Sequence, residues 1–226
     1  MRVKGKHVVV TGAGTGIGRA VAQRLVDEGA RVSALARTVE RLDVGEPHAC
    51  DIRERSQLDE LFVRLGPVDA VVANAGVGGP NEPGTEDRWD DLIATNLSGT
   101  YWTLRAAERA GAQDFVVISS ILARIAVPGY TGYSASKAGL LGLVRSLAAE
   151  LAPRQVNAIC PGWVDTDMAW SGLAELPGGW DEARKAVPTG RMTQPDELAS
   201  TVLWLLTDAR NLTGQAIDHN GGAWAG

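Results

Sequence analysis

Short, nearly all-apolar runs alternate along the chain with longer stretches whose apolar residues recur every three or four positions. The short runs read as strands at His7–Val10, Arg31–Ala36, His48–Asp51, Asp69–Ala73, Phe115–Ser119, Val156–Cys160 and Gln215–Asp218. The longer period predicts helices over residues 17–28, 89–109, 134–151 and 195–207. In the first of these, Ile17, Val21, Leu25 and Val26 share a face. The last begins with Pro195 and Glu197 in its first turn, a common helix start. Strands apolar on both faces belong in a parallel sheet covered by helices on both sides, joined by right-handed crossovers. The stretch between Arg37 and His48 is too short for a full crossover helix and carries Pro47, so only a turn or two is expected there.

Composition narrows the class. The chain has 226 residues, 45% apolar and 22% charged, with no linker, charge block or internal repeat, so a single soluble domain is expected. Its net charge of −5 gives no basic footprint for nucleic acid. The apolar runs are strand-length, too short to span a bilayer, and the N-terminus enters a strand without a signal-peptide core. A cytoplasmic protein with no membrane partner is expected. Cys50 and Cys160 lack metal-ligand spacing and read as small apolar strand residues; no metal is expected.

Residues 11–18 read TGAGTGIG, directly after a strand and at the start of a helix. This is the context of a phosphate-binding turn. Gly12 permits the tight turn, Gly16 lets the backbone approach a pyrophosphate, and Gly18 lets helix and strand pack closely. The helix N-terminus then offers free N–H groups and its positive end to the anion. The glycine spacing is G-x-x-x-G-x-G. Far downstream, residues 133–137 read YSASK. Tyr133 and Lys137 stand at i and i+4 and share a face if helical. Ser119 and Ser120 end a predicted central strand, and alternation points their side chains opposite ways.

TGAGTGIG, Ala73-Asn74-Ala75-Gly76, Asn96, Ser120, Tyr133-x-x-x-Lys137 and PGWVDT at 161–166 together resemble the short-chain dehydrogenase/reductase family, in family order and over essentially the whole chain. The resemblance implies a doubly wound, Rossmann-type α/β fold and reversible hydride transfer between a nicotinamide dinucleotide and a carbonyl or secondary alcohol. It implies Ser120, Tyr133, Lys137 and Asn96 as catalytic residues. Tyr133 would protonate the developing alkoxide and Ser120 would hydrogen-bond the same oxygen. Lys137 would hold the nicotinamide ribose, and the backbone carbonyl of Asn96 would anchor a water relay to it. The Lys137 ammonium and a positive nicotinamide ring are expected to favour the Tyr133 phenolate.

The cofactor set implied is Gly12, Thr15, Gly16, Ile17, Gly18, Arg37, Thr38, Asp51, Ile52, Asn74, Ala75, Gly76, Tyr133, Lys137, Pro161, Gly162, Val164 and Thr166. An acidic residue after the second strand would favour NAD(H). Ala36, Arg37 and Thr38 there leave room and a guanidinium for a 2′-phosphate, so NADP(H) is expected over NAD(H). Residues 167–190, rich in Gly, Pro and Trp and without a strong period, resemble the substrate lid.

Seven tryptophans against two phenylalanines is an unusual ratio. Trp89, Trp102 and Trp204 are expected on buried helix faces. Trp163 and Trp170 are candidates to line the substrate pocket, which would suit an apolar or aromatic ketone or aldehyde. A 3-oxoacyl-thioester substrate and a non-catalytic NAD(P)-binding regulator are the alternatives; Arg184, Lys185 and Arg191 keep a phosphorylated or carrier-bound substrate open. Arg124 reads as a surface loop residue. Outward apolar residues on 89–109 and 134–151 suggest a homodimer or homotetramer.

Overall fold

The computed structural model describes residues 3–80 and 87–225. Seven strands form one sheet in the order β3-β2-β1-β4-β5-β6-β7. They are β1 His7–Thr11, β2 Arg31–Ala36, β3 Glu46–Ala49, β4 Ala70–Ala73, β5 Asp114–Ile118, β6 Gln155–Pro161 and β7 Ala216–His219. Every pairing is parallel. The chain winds outward from β1 through β2 to β3, returns to β4, and winds the other way. The order therefore reverses between β1 and β4, where doubly wound sheets open a crevice.

Side-chain alternation splits the core into two layers. Val9, Leu35, Val71, Phe115 and Val117 face one side, against α2 (Arg55–Leu65), α4 (Thr100–Arg109) and α5 (Thr131–Glu150). Val8, Val10, Ala34, Val72, Val116 and Ile118 face the other, against α1 (Gly16–Asp27) and α8 (Pro195–Thr207). The apolar strands are apolar throughout because both faces are covered.

Three features differ from the sequence expectation. β3 starts two residues earlier than expected, at Glu46. It is a largely exposed edge strand, which tolerates Pro47, and only the backbone N–H of Cys50 continues the ladder, to the Ala36 carbonyl. α2 has no expected counterpart, although Leu58, Leu61, Phe62 and Leu65 make a buried i, i+3, i+4, i+7 stripe. The lid is not irregular: it holds α6 (Asp167–Ala174) and α7 (Gly179–Ala183). The short second crossover is one 3-10 turn, Val39–Arg41.

The helix expected over 89–109 is continuous but changes register. α3 (Trp89–Leu92) runs into a π-helical segment, Ile93–Gly99, before α4. The tryptophans expected on buried helix faces are not all buried. Trp89 is 43% and Trp204 44% exposed, because both lie on the outer sides of their helices. Trp102 is half-buried beneath the Arg55 guanidinium, 4.8 Å from its ring centroid.

Candidate functional site

A cleft of about 1160 Å³ lies over the carboxyl ends of β1, β4, β5 and β6, somewhat above the ~300–1,000 Å³ usual for small-molecule sites. At one end lies the glycine turn. Gly12 has φ +67°, and a Cβ there would fall 2.8 Å from the Ala75 Cα. A Cβ at Gly18 would fall 2.1 Å from the Gly12 carbonyl oxygen and 2.4 Å from Asn74 Nδ2. Neither position admits a side chain without moving backbone. Gly16, at φ +52°, faces Thr166 across the cleft. Thr15 precedes α1 in extended conformation without capping it, and the first turn of α1 holds no acidic residue. The first N–H groups of α1 therefore remain open to an anion.

Asn74 braces this turn. Its carboxamide donates to the carbonyls of Thr11 (3.0 Å) and Gly12 (3.2 Å), while Thr11 Oγ1 accepts from the backbone N–H groups of Asn74 and Ala75. Ile17, Ala75 and Gly76 line the same wall. Gly18 supports the turn from behind.

Arg37 and Thr38 follow β2 at the rim, both exposed. The 3-10 turn brings a residue the sequence reading missed, Arg41, back over Gly14: its Cβ lies 3.1 Å from where a Cβ on Gly14 would stand. A second arginine four positions after the first was the available signal. Neither Arg37 nor Arg41 forms an ion pair with the described residues, whereas Arg19, Arg31 and Arg53 are all bound to carboxylates. Asp51 lines the cleft with its carboxylate already taken by Arg53 (2.6 Å), whose hydrogen bonds hold it below the usual carboxylate range. Ile52 packs against Gly99 of the π segment.

At the other end, Ser119 and Ser120 diverge as alternation requires. Ser119 Oγ donates to the Lys137 carbonyl (2.9 Å), away from the cleft. Ser120 lines the cleft together with Tyr133, and its oxygen accepts from the Leu122 N–H (3.1 Å). Tyr133 and Lys137 project from the first turns of α5. Lys137 is 5% exposed; its ammonium donates to the Ile118 carbonyl (3.0 Å), with the nitrogen 5.8 Å from the Tyr133 ring centroid.

Asn96 sits mid-way along the π segment, fully buried. Its Oδ1 accepts from the Val77 N–H (2.8 Å), and its Nδ2 donates to the Val77 carbonyl (3.0 Å) and Ser136 Oγ (3.1 Å). It thus ties the loop after β4 to α5. Gly76 fits between: a Cβ there would be 3.1 Å from Asn96 Oδ1 and 3.4 Å from Lys137 Nζ.

Burial pushes the Lys137 ammonium down to about 8, with Cys160 opposing. Burial also pushes the Tyr133 phenol above its ordinary value; Tyr130 adds to this and the Ser120 hydroxyl opposes it. The protein groups alone therefore favour the neutral phenol of Tyr133. The leading cause is burial, and the Lys137 ammonium, directed at the Ile118 carbonyl, does not offset it.

Pro161, Gly162, Trp163, Val164 and Thr166 line the wall after β6. Thr166 caps α6, accepting from the Ala169 N–H (3.4 Å). Trp163 faces the cleft, but Trp170 does not: its indole N–H donates to Asp165 (2.7 Å) on an outer surface, 49% exposed. The sequence reading missed most of the remaining wall, which comprises Tyr130, Ile121, Leu122, Ile125, Val127, Met168, Leu176 and Val187. Tyr130 had a signal, three residues before Tyr133. The rings of Tyr130 and Tyr133 meet edge to face, centroids 6.4 Å apart.

Fold and cleft define the class of doubly wound α/β proteins that receive their ligand at the switch point of the sheet. The family model described as enoyl-(acyl carrier protein) reductase matches residues 12–223. The chain is 33% identical to the 3-oxoacyl-[acyl-carrier-protein] reductase of Salmonella typhimurium, covering 99% of each. Its fold matches a short-chain type dehydrogenase/reductase from Mycobacterium marinum at a TM-score of 0.90 and 28% identity, over 99% of this chain and 97% of that one. It matches Thermoplasma acidophilum aldohexose dehydrogenase equally, at 0.90 and 29% identity, over 98% and 94%. The chain belongs to the short-chain dehydrogenase/reductase family and is an oxidoreductase of that type.

Proposed function

We propose that the protein interconverts a free apolar or aromatic ketone or aldehyde and its alcohol, using NADP(H). The observation that carries this is the convergence of Ser120, Tyr133 and Lys137 in the same cleft as an uncapped, glycine-lined helix N-terminus. The fit to a nicotinamide dinucleotide rests on this chain's own groups. The glycine turn leaves room that a Cβ would fill, and the open N–H groups of α1 suit a pyrophosphate. Arg37 and Arg41, neither in an ion pair with the described residues, suit a 2′-phosphate better than a bare ribose hydroxyl. The bound nicotinamide supplies the hydride that is exchanged with the carbon bearing the oxygen.

The residues do the rest. In reduction, the carbonyl oxygen accepts hydrogen bonds from Ser120 and Tyr133. As charge develops on that oxygen, Tyr133 passes its proton to it, and Ser120 stabilises it throughout. A phenol held neutral by burial is primed for this direction. A cation bound beside Tyr133 lowers its pKa and eases the proton's departure. Lys137 stays mostly protonated below about pH 8 and holds the ribose side of the site. Asn96 braces the loop beneath it. Trp163 lines the substrate end, and a homo-oligomer is the proposed assembly.

The relatives span an acyl-carrier reductase and a sugar dehydrogenase at similar identity, so fold likeness does not choose the substrate. The choice of a free ketone over a carrier-bound thioester rests on charge. The three basic residues that kept a carrier-bound substrate open are each paired: Arg184 with Asp181, Lys185 with Glu182, Arg191 with Glu197. The test is NADPH consumption with aryl ketones, aldehydes and 3-oxoacyl thioesters. Free ketones turned over at higher kcat/KM than any thioester support the reading. The opposite order makes the protein a thioester reductase, and no consumption with any of them contradicts the reductase reading.

A further inference from the structure

The substrate end of the cleft carries a sign. The lid, residues 167–190, has four acidic side chains and two basic ones. Both basic side chains are bound to Asp181 and Glu182, which leaves Asp167 and Glu175. These two line the cleft, and neither has an ion pair with the described residues. The cations at this end are already engaged. Arg88 is bound to Asp91 (3.3 Å) and to the Gly78 carbonyl (2.8 Å), and Lys137 donates to the Ile118 carbonyl (3.0 Å).

The walls beside Gly172 are aromatic. A Cβ on Gly172 would stand 3.8 Å from the Tyr130 hydroxyl and 3.9 Å from Trp163 Cζ3, so both rings border the gap that Gly172 leaves open on α6. Glu175 follows one turn later, its N–H bonded to the Gly172 carbonyl (3.3 Å), and is exposed at the cleft edge. Two electron-rich rings with a carboxylate one helical turn away are the groups that attract an organic cation. At the lid, away from Arg37 and Arg41 at the cofactor end, the unpaired side chains are both carboxylates, and a low-dielectric wall strengthens their attraction for a counter-ion.

We infer that the cleft selects a carbonyl compound bearing a protonated amine, its apolar body between Tyr130 and Trp163 and its ammonium at Glu175. The inference rests on the reductase reading and names the substrate class of that same site. An aliphatic amine is protonated at neutral pH, as the usual lysine pKa of about 10.4 illustrates. Asp167 adds to the same field from the first turn of α6, and a carboxylate-bearing ketone meets it with the wrong sign.

Three aryl ketones of matched size, bearing a dimethylaminomethyl, an isopropyl or a carboxylate group, test this by their kcat/KM with NADPH. The expected order is cation, neutral, anion, with cation over neutral by roughly five- to tenfold, the size of an exposed ion pair plus a cation–π contact. Glu175→Gln should collapse that ratio toward one, and raised salt should shrink it. Binding of phenyltrimethylammonium, measured by calorimetry in wild type and Glu175→Gln, reads the site without turnover and should weaken about three- to tenfold in the variant. Neutral or anionic ketones reduced as well as the cationic one, or a ratio untouched by Glu175→Gln, would overturn the inference while leaving the reductase reading standing. Calorimetric discrimination with no ketone consumed would instead defeat the reductase reading.

Discussion

The two ends of the cleft are built by different means. The cofactor end is made of backbone. Gly12, Gly16 and Gly18 remove side chains, Asn74 holds the turn by its carbonyls, and the open N-terminus of α1 supplies the donors. The substrate end is made of side chains from segments far apart in sequence: Ile121 to Tyr130, Trp163, Gly172 to Leu176 and Val187. Backbone sites demand particular residues at fixed spacing, so they show in a sequence. A side-chain wall asks only for apolar bulk, which many sequences supply. The difference explains why family likeness reaches the reaction type here and stops short of the substrate.

Gly18→Ala breaks the cofactor end most directly. A Cβ at 2.1 Å from a backbone oxygen cannot be absorbed by a rotamer change. Destabilisation of at least about 2 kcal/mol and a clear weakening of NADPH binding are expected, read by thermal unfolding and fluorescence titration. Unchanged values would show that the turn is not held as described.

Lys137 lies where the two ends meet, and Lys137→Met separates function from stability. A buried ammonium lowered from 10.5 to about 8 stores on the order of 3 kcal/mol against the folded state. The variant should lose activity yet unfold at higher denaturant, less whatever the stranded Ile118 carbonyl costs. The sign follows from proton counts. Between about pH 8 and 10.5 the unfolded chain binds more protons at this lysine, so its contribution to wild-type stability rises with pH across that window and is flat below it. Lys137→Met should lack this rise. A less stable variant with the same pH slope would refute the assignment.

Arg37→Ala and Arg41→Ala sharpen the cofactor end. Each should lower the preference for NADPH over NADH about tenfold, the size of one charge-assisted contact of roughly 1.5 kcal/mol. Loss of NADH and NADPH affinity alike would make them general anion contacts.

The smallest contrast lies between two tryptophans. Trp163→Ala should raise KM several-fold. Trp170→Ala, outside the cleft and bonded to Asp165, should change it less than twofold. Equal effects would place Trp170 in the substrate's path.

The sheet was largely legible because strands buried on both faces are continuous apolar runs. β3 was displaced because an edge strand is polar and held by pairing to β2 rather than by burial. α2 was legible in its Leu58, Leu61, Phe62, Leu65 stripe and went unread. The π segment around Asn96 was not legible, since a register shift of one residue leaves no mark on apolar periodicity. Alternation set Ser119 and Ser120 on opposite sides, and the 13-residue spacing to Tyr133 (133 − 120) chose Ser120. The direction of Lys137 was not legible, because it depends on the distance to the Ile118 carbonyl rather than on the i, i+4 spacing to Tyr133.

The central claim is that hydride reaches a carbonyl carbon while Tyr133 supplies the proton. Reaction of an accepted aryl ketone with NADPH deuterated at the transferring position, followed by mass analysis of the alcohol, tests it most directly. Wild type should place one deuterium on the carbinol carbon, and Tyr133→Phe should form product at least about 10²-fold more slowly while still binding NADPH. Deuterium absent from that carbon, or a Tyr133→Phe enzyme of near wild-type rate, would contradict the account.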